Sequence, residues 1–133
     1  MDPITESQIV SLWIEPSRRE RTCFELSKPA KREACIWRLE SRLTEALARP
    51  IQAGIANGEE LIAILRREGA KGKCYALSVD SAVDGQWWTM EEAITKTVFY
   101  GPALLWFPDA NIAYFEGEGG VCAPNRLILR SRK

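Results

Sequence analysis

Apolar residues at Ile9, Leu12 and Trp13 recur at helical spacing behind Thr5 and Gln8, which are separated as in a capping box. Ile4 and Ile9 stand where a hydrophobic staple would clamp the entry, so a first helix is predicted there. Pro16 should stop it and leave residues 17–21, rich in arginine, as a loop or frayed turn. The repeat Ile36, Leu39, Leu43, Leu47 predicts a long second helix, capped by Ser27 with Pro29 in its first turn and ended by Pro50. Trp37 lies off that stripe, which asks for a wide buried face or a second packing layer. Asn57 and Glu60 repeat the capping spacing ahead of Leu61, Ile62, Ile64 and Leu65, and Gly69 should end this third helix.

From Lys73 onward the period changes to short apolar runs divided by turns. A strand is predicted over 74–79, then a short helix opened by Thr89 and Glu92 in capping-box spacing. Strands over 104–107 and 112–116 flank Pro108, Asp109, Ala110 and Asn111, whose turn chemistry suits a hairpin loop. A last strand over 126–130 follows the glycine-rich stretch 117–120. Helices followed by strands predict an α+β fold: N-terminal helices packed on one face of a small antiparallel meander sheet of about four strands. One domain over 1–133 is expected, helical over about 5–69 and sheet-forming over about 73–130.

Composition changes this picture mainly by subtraction. There is no histidine among the 133 residues, which removes the usual central residue of serine or cysteine triads and of most zinc sites. Cys23, Cys35, Cys74 and Cys122 are scattered with no paired spacing, so reduced thiols are expected in place of staples or a zinc site. No apolar run is long enough for a membrane helix, and the N-terminus lacks the pattern of a signal peptide, so a cytoplasmic protein with no membrane contact is predicted. Gly69-Ala70-Lys71-Gly72-Lys73 precedes a strand and not a helix, so it does not make a phosphate loop. No cofactor is expected.

The net charge of zero is unevenly spread. Between Ser78 and Asn125, seven acids (Asp80, Asp84, Glu91, Glu92, Asp109, Glu116, Glu118) face one base, Lys96, among many aromatic residues. Such a field steers partners. Trp87 and Trp88 are consecutive, and in an extended segment they point to opposite sides, so one should remain half exposed as an interface anchor. The sequence therefore predicts a non-enzymatic protein-binding module, of the kind that an immunity protein or antitoxin represents, neutralising a partner with a basic surface. The expected contact set is Asp84, Trp87, Trp88, Glu91, Asp109, Glu116 and Glu118, with no catalytic residue and no metal; a second copy of the chain is a further partner the sequence allows. The alternative is a histidine-independent enzyme, or a ligand or metal binder, using Glu116, Glu118 and Asp80 with Tyr75, Tyr100 or Tyr114 as donors. A third reading has the basic group Arg18, Arg19, Arg21, Lys28, Lys31 and Arg32, extended by Arg126, Arg130, Arg132 and Lys133, tracking nucleic acid; interleaved acids and the neutral total count against it.

Overall fold

Asp2, not Thr5, starts the first helix: its carboxylate accepts from the backbone N–H groups of Ile4 and Thr5, and Pro3 occupies the first helical position, where no N–H is needed. This computed structural model describes residues 1–51, 58–119 and 124–131. The helix, α1 (Pro3–Trp13), buries Ile9, Val10 and Trp13 and leaves Ile4 exposed, so the expected staple is not made.

The basic stretch predicted as a loop is helical. Pro16 opens a 3-10 turn (Pro16–Arg18) that leads into α2 (Arg19–Ser27), where Thr22, Glu25 and Leu26 turn inward. Pro29 forces extended backbone on Lys28, which ends α2 and lets α3 (Pro29–Trp37) start; Ser27 closes the earlier helix by donating to the Phe24 carbonyl and does not cap the later one. The long second helix is absent as such. After α3 comes only a short α4 (Leu39–Arg42), because Leu43 leaves the helix to bridge Ile14, with Thr44 N–H donating to the Trp13 carbonyl and Glu15 N–H to that of Arg42. Ile36, Leu39 and Leu43 are buried as their spacing predicts, whereas Trp37 is largely exposed. A second 3-10 turn (Glu45–Leu47) then feeds β1 (Ala48–Pro50), an edge strand, the place in a sheet that tolerates proline.

The C-terminal elements follow their local signals closely. Helix α5 (Gly58–Arg67) gives way at Gly69, whose φ of +104° suits glycine alone; Asn57, its expected cap, lies outside the described residues. Strand β2 (Cys74–Ser78) and the two-residue β3 (Trp87–Trp88) precede α6 (Met90–Thr97), opened by the predicted capping box of Thr89 and Glu92. Strands β4 (Ala103–Phe107) and β5 (Ile112–Glu116) form the predicted hairpin, paired from Phe107 with Ile112 to Ala103 with Glu116, and β6 (Arg126–Arg130) completes the set.

The described residues form six helices, with two 3-10 turns, and an antiparallel sheet of six strands in the order β1-β6-β5-β4-β2-β3. The class is α+β as expected, but the sheet has two more strands than predicted and helices cover both of its faces. On one face Tyr75, Leu77, Leu104, Trp106, Ala113, Phe115 and Leu129 pack with α1 to α4. On the other, Cys74, Ala76, Leu105, Phe107, Ile112, Tyr114 and Ile128 pack with α5 and α6. The physical reason is visible in β4 and β5, where every residue is buried: a strand apolar throughout, as β4 is, or apolar up to its last residue, as β5 is up to Glu116, needs cover on two sides. No described helix is long and apolar enough to cross a membrane.

Candidate binding surface

Part of the charge asymmetry along the chain is cancelled across the fold. Arg32 of the basic half is buried between two acids. Its Nε donates to Asp84 Oδ2 at 2.6 Å, Nη2 to Asp84 Oδ1 at 3.0 Å and to Glu6 Oε2 at 2.6 Å, and Nη1 to Glu6 Oε1 at 2.6 Å and the Leu26 carbonyl at 3.0 Å. All five guanidinium donors are thereby used. Tyr75 Oη donates to Glu6 at 2.6 Å, and Ser78 N–H to Asp84 at 3.0 Å. Burial and then the Glu6 carboxylate push the Tyr75 phenol well above its ordinary range. Arg42 likewise meets Glu25 at 2.5 Å within the helical layer. A third cluster joins Arg126 to Glu116, whose carboxylate also accepts from Tyr114 Oη. Burial, followed by the charge of Glu116, raises the Tyr114 phenol too.

These clusters correct the expected contact set. Asp84 is nearly enclosed and Glu116 wholly so, each spent on a buried arginine, and neither presents a carboxylate to a partner. The same pairs take Arg32 and Arg126 out of the proposed basic surface. A cavity of about 260 Å³ opens beside Glu6, Cys23, Leu26 and Arg32, but the two charged groups in its wall are committed to each other.

The remaining members are dispersed. Trp87, 43% exposed, stands edge-on to the Tyr75 ring at 5.3 Å on the α1 side of the sheet. Trp88 points to the other side, as consecutive strand residues must; its Nε1 donates to the Val83 carbonyl and Lys96 Nζ lies 5.0 Å over its ring. Glu91, in the first turn of α6, pairs with Arg66 of α5. Asp109 sits in the β4–β5 turn against Gly72, at the opposite end of the sheet from Glu118.

That opposite end is where acids and aromatics do converge. Register aligns Ser78, Ala103, Glu116 and Arg126 in one row across β2, β4, β5 and β6. Beyond it, Val79 N–H donates to the Pro102 carbonyl, placing Asp80 beside the turn that enters β4, and Gly101 forms a parallel bridge with Glu118. Asn125 adds Glu40 from α4 by donating from Nδ2 at 2.9 Å, while its carbonyl receives Gly117 N–H. Glu40, Asp80 and Glu118 are all exposed. At the same end of the sheet are Phe99 and Tyr100, 49% and 66% exposed. Phe99 has a φ of +66°, a left-handed conformation that costs a bulky residue about 1–3 kcal/mol. Glu116 Oε2 holds it there by accepting Phe99 N–H at 2.9 Å, and Arg126 Cζ lies 4.8 Å over its ring.

No family model matches this chain, and neither a curated protein nor a solved structure matches it. The site must be read from its own chemistry. The topology does bring Asp80, Glu116 and Glu118 to one end of the sheet, the condition for the alternative reading, but Glu116 faces inward and is taken up by Arg126, Tyr114 and Phe99 N–H. Among the described residues no group of three or more acids or cysteines could hold a metal ion. The thiols of Cys35 and Cys74 are buried, and burial pushes them up to about 11 and about 12. Sequence reasoning missed Phe99 as a site residue and placed Tyr100 only among the donors of the alternative reading, not in the contact set. The available signal was their position: two aromatics between the last apolar turn of a helix and Gly-Pro, where the chain turns too sharply to bury both. Glu40 carried no signal, since it joins the site from 85 residues away.

Proposed function

We propose that this protein is a binding module for another protein, and that it docks through the end of the sheet that carries Phe99, Tyr100, Glu40, Asp80 and Glu118. The observation that supports this most is Phe99: an aromatic residue kept in a left-handed backbone conformation, half exposed, by a carboxylate that is itself wholly buried. Strain of this kind persists only where surrounding structure enforces it, and it gathers at clamps and binding sites. Exposed aromatics with flanking acids suit a partner with a basic surface, where the rings supply contact area and the carboxylates steer the encounter. Neutralisation of such a partner, in the manner of an immunity protein or antitoxin, is the finer form of this proposal, and a cytoplasmic setting belongs to it. The histidine-independent enzyme or metal binder loses support because its central carboxylate, Glu116, is enclosed and occupied.

Capture from an extract of the source organism, run in parallel with the native chain and with a Tyr100→Ala, Glu118→Gln double variant, tests the reading. The expected result is a basic protein retained by the native chain, released by moderate salt and lost with the variant. Equal capture by both chains would reject this surface.

A further inference from the structure

The Phe99–Tyr100 site already contains one guanidinium, and its geometry indicates what a partner would bring. Arg126 lies over the Phe99 ring while its Nε donates to Glu116 Oε1 at 3.0 Å, so one arginine satisfies an aromatic face and a carboxylate together. A planar guanidinium is suited to this double role, because it stacks on rings and offers donors in a fixed fork, whereas an ammonium is a compact, strongly hydrated charge. Arg32 between Glu6 and Asp84 shows the carboxylate half of this role elsewhere in the chain. Outside the buried pair the elements repeat at the surface: about half of Phe99 and two thirds of Tyr100 are exposed, and Glu40, Asp80 and Glu118 reach the same sheet end from three segments. Exposed aromatic surface carries the negative ring quadrupole, and each acid adds to the attraction for a cation.

We infer that this site recognises an arginine side chain in a basic segment of the partner protein, stacked on Tyr100 or Phe99 and paired with Glu118 or Asp80. The inference rests on the docking surface proposed above and names the chemistry of its occupant. It requires no change in Glu116 or Arg126, which position Phe99 from below. Lysine-rich segments meet the same charge but lack the planar contact, so the site should rank arginine above lysine.

Titration of the full 133-residue chain with a short peptide alternating arginine and glycine, followed by amide and aromatic-ring NMR, tests this against the matching lysine peptide. The largest shifts are expected at Phe99, Tyr100 and Glu118, with the arginine peptide bound about fivefold more tightly than the lysine peptide. Tyr100→Ala, at an exposed position that leaves the core intact, should weaken the arginine peptide about fivefold, and Glu118→Gln should weaken it at low salt only. Equal affinity for the two peptides, shifts centred on another surface, or no binding would overturn the inference. A dimer of the free chain that Tyr100→Ala dissociates would overturn it in favour of a second copy as occupant. If the arginine peptide fails while a natural partner is still captured by the native chain and lost with the double variant, the docking surface stands and only the guanidinium assignment falls.

Discussion

The buried carboxylate of Glu116 accepts the backbone N–H of Phe99 at 2.9 Å, tying the interior charge of the sheet to an exposed aromatic turn. Glu116 is therefore a positioning residue, although its place in an acidic stretch suggests a surface contact. Replacing it with glutamine takes the charge of Glu116 away from the enclosed Arg126 guanidinium, and breaking a buried pair in this way typically costs about 3–5 kcal/mol. Urea unfolding should register a loss of this size for Glu116→Gln, and Glu118→Gln, at an exposed position, should fall within about 0.5 kcal/mol of the native chain. Equal stability of the two variants would contradict the buried pairing.

Gly101 is the second point on which the aromatic turn depends. A β-carbon there would meet the backbone carbonyl oxygens of Glu116 and Gly117, which have no flexible end to swing aside. Gly101→Ala should force the bridge to Glu118 apart, lower stability by about 1–3 kcal/mol, and shift the amide resonances of Phe99 and Tyr100. A variant as stable as the native chain, with those resonances unmoved, would show that the close approach is not required.

On the other face, Arg32 neutralises two acids from distant segments, and the order of its variants can be stated. Arg32→Leu abandons Glu6 and Asp84 inside the protein and should cost about 3–5 kcal/mol. Tyr75→Phe removes one hydrogen bond to Glu6 and should cost about 1–3 kcal/mol, the usual loss when a buried acceptor gives up a partner. Chemical denaturation of both variants checks the order, and a Tyr75→Phe loss larger than that of Arg32→Leu would invert the account.

Acid should destabilise the fold in a defined window. The hydrogen bond from Arg42 holds the Glu25 carboxyl below its ordinary value, and that from Arg130 does the same for Glu68. A carboxyl depressed in the folded chain contributes stability above its unfolded pKa of about 4.3 and loses it as pH falls through the lower folded value. The urea midpoint should therefore hold steady from neutral pH down to about 5 and fall below about 4. Arg42→Met should flatten the acid limb; an unchanged acid limb in that variant would remove Glu25 from the explanation.

Local signals in this chain are reliable where the interaction they describe is itself local. The capping box of Thr89 and Glu92, the stop at Gly69 and the hairpin around Pro108–Asn111 involve residues a few positions apart, so their spacing alone determines them. The buried positions Ile36, Leu39 and Leu43 were legible for the same reason, as was the divergence of Trp87 and Trp88. The helix assigned around those apolar residues was not, because Leu43 exchanges helical hydrogen bonds for a bridge to Ile14, and Ala48–Pro50 exchange them for an edge of the sheet. Both gains come from residues remote in sequence.

The candidate site divides along the same line. From the sequence alone follow the α+β class, the absence of histidine chemistry and the enrichment of acids and aromatics in the second half. Which acids reach the surface was decided only in three dimensions, since Asp84 and Glu116 find Arg32 and Arg126 and withdraw with them, while Glu40 of the helical half joins the sheet end through Asn125. Helical cover on both faces of the sheet is likewise a tertiary outcome: β4 is apolar at every position and β5 at all but Glu116, and burying both sides removes more apolar surface from water than a single helical layer could. Composition is a property of the chain, but the pairing of a charge depends on which distant group folding brings within hydrogen-bond reach.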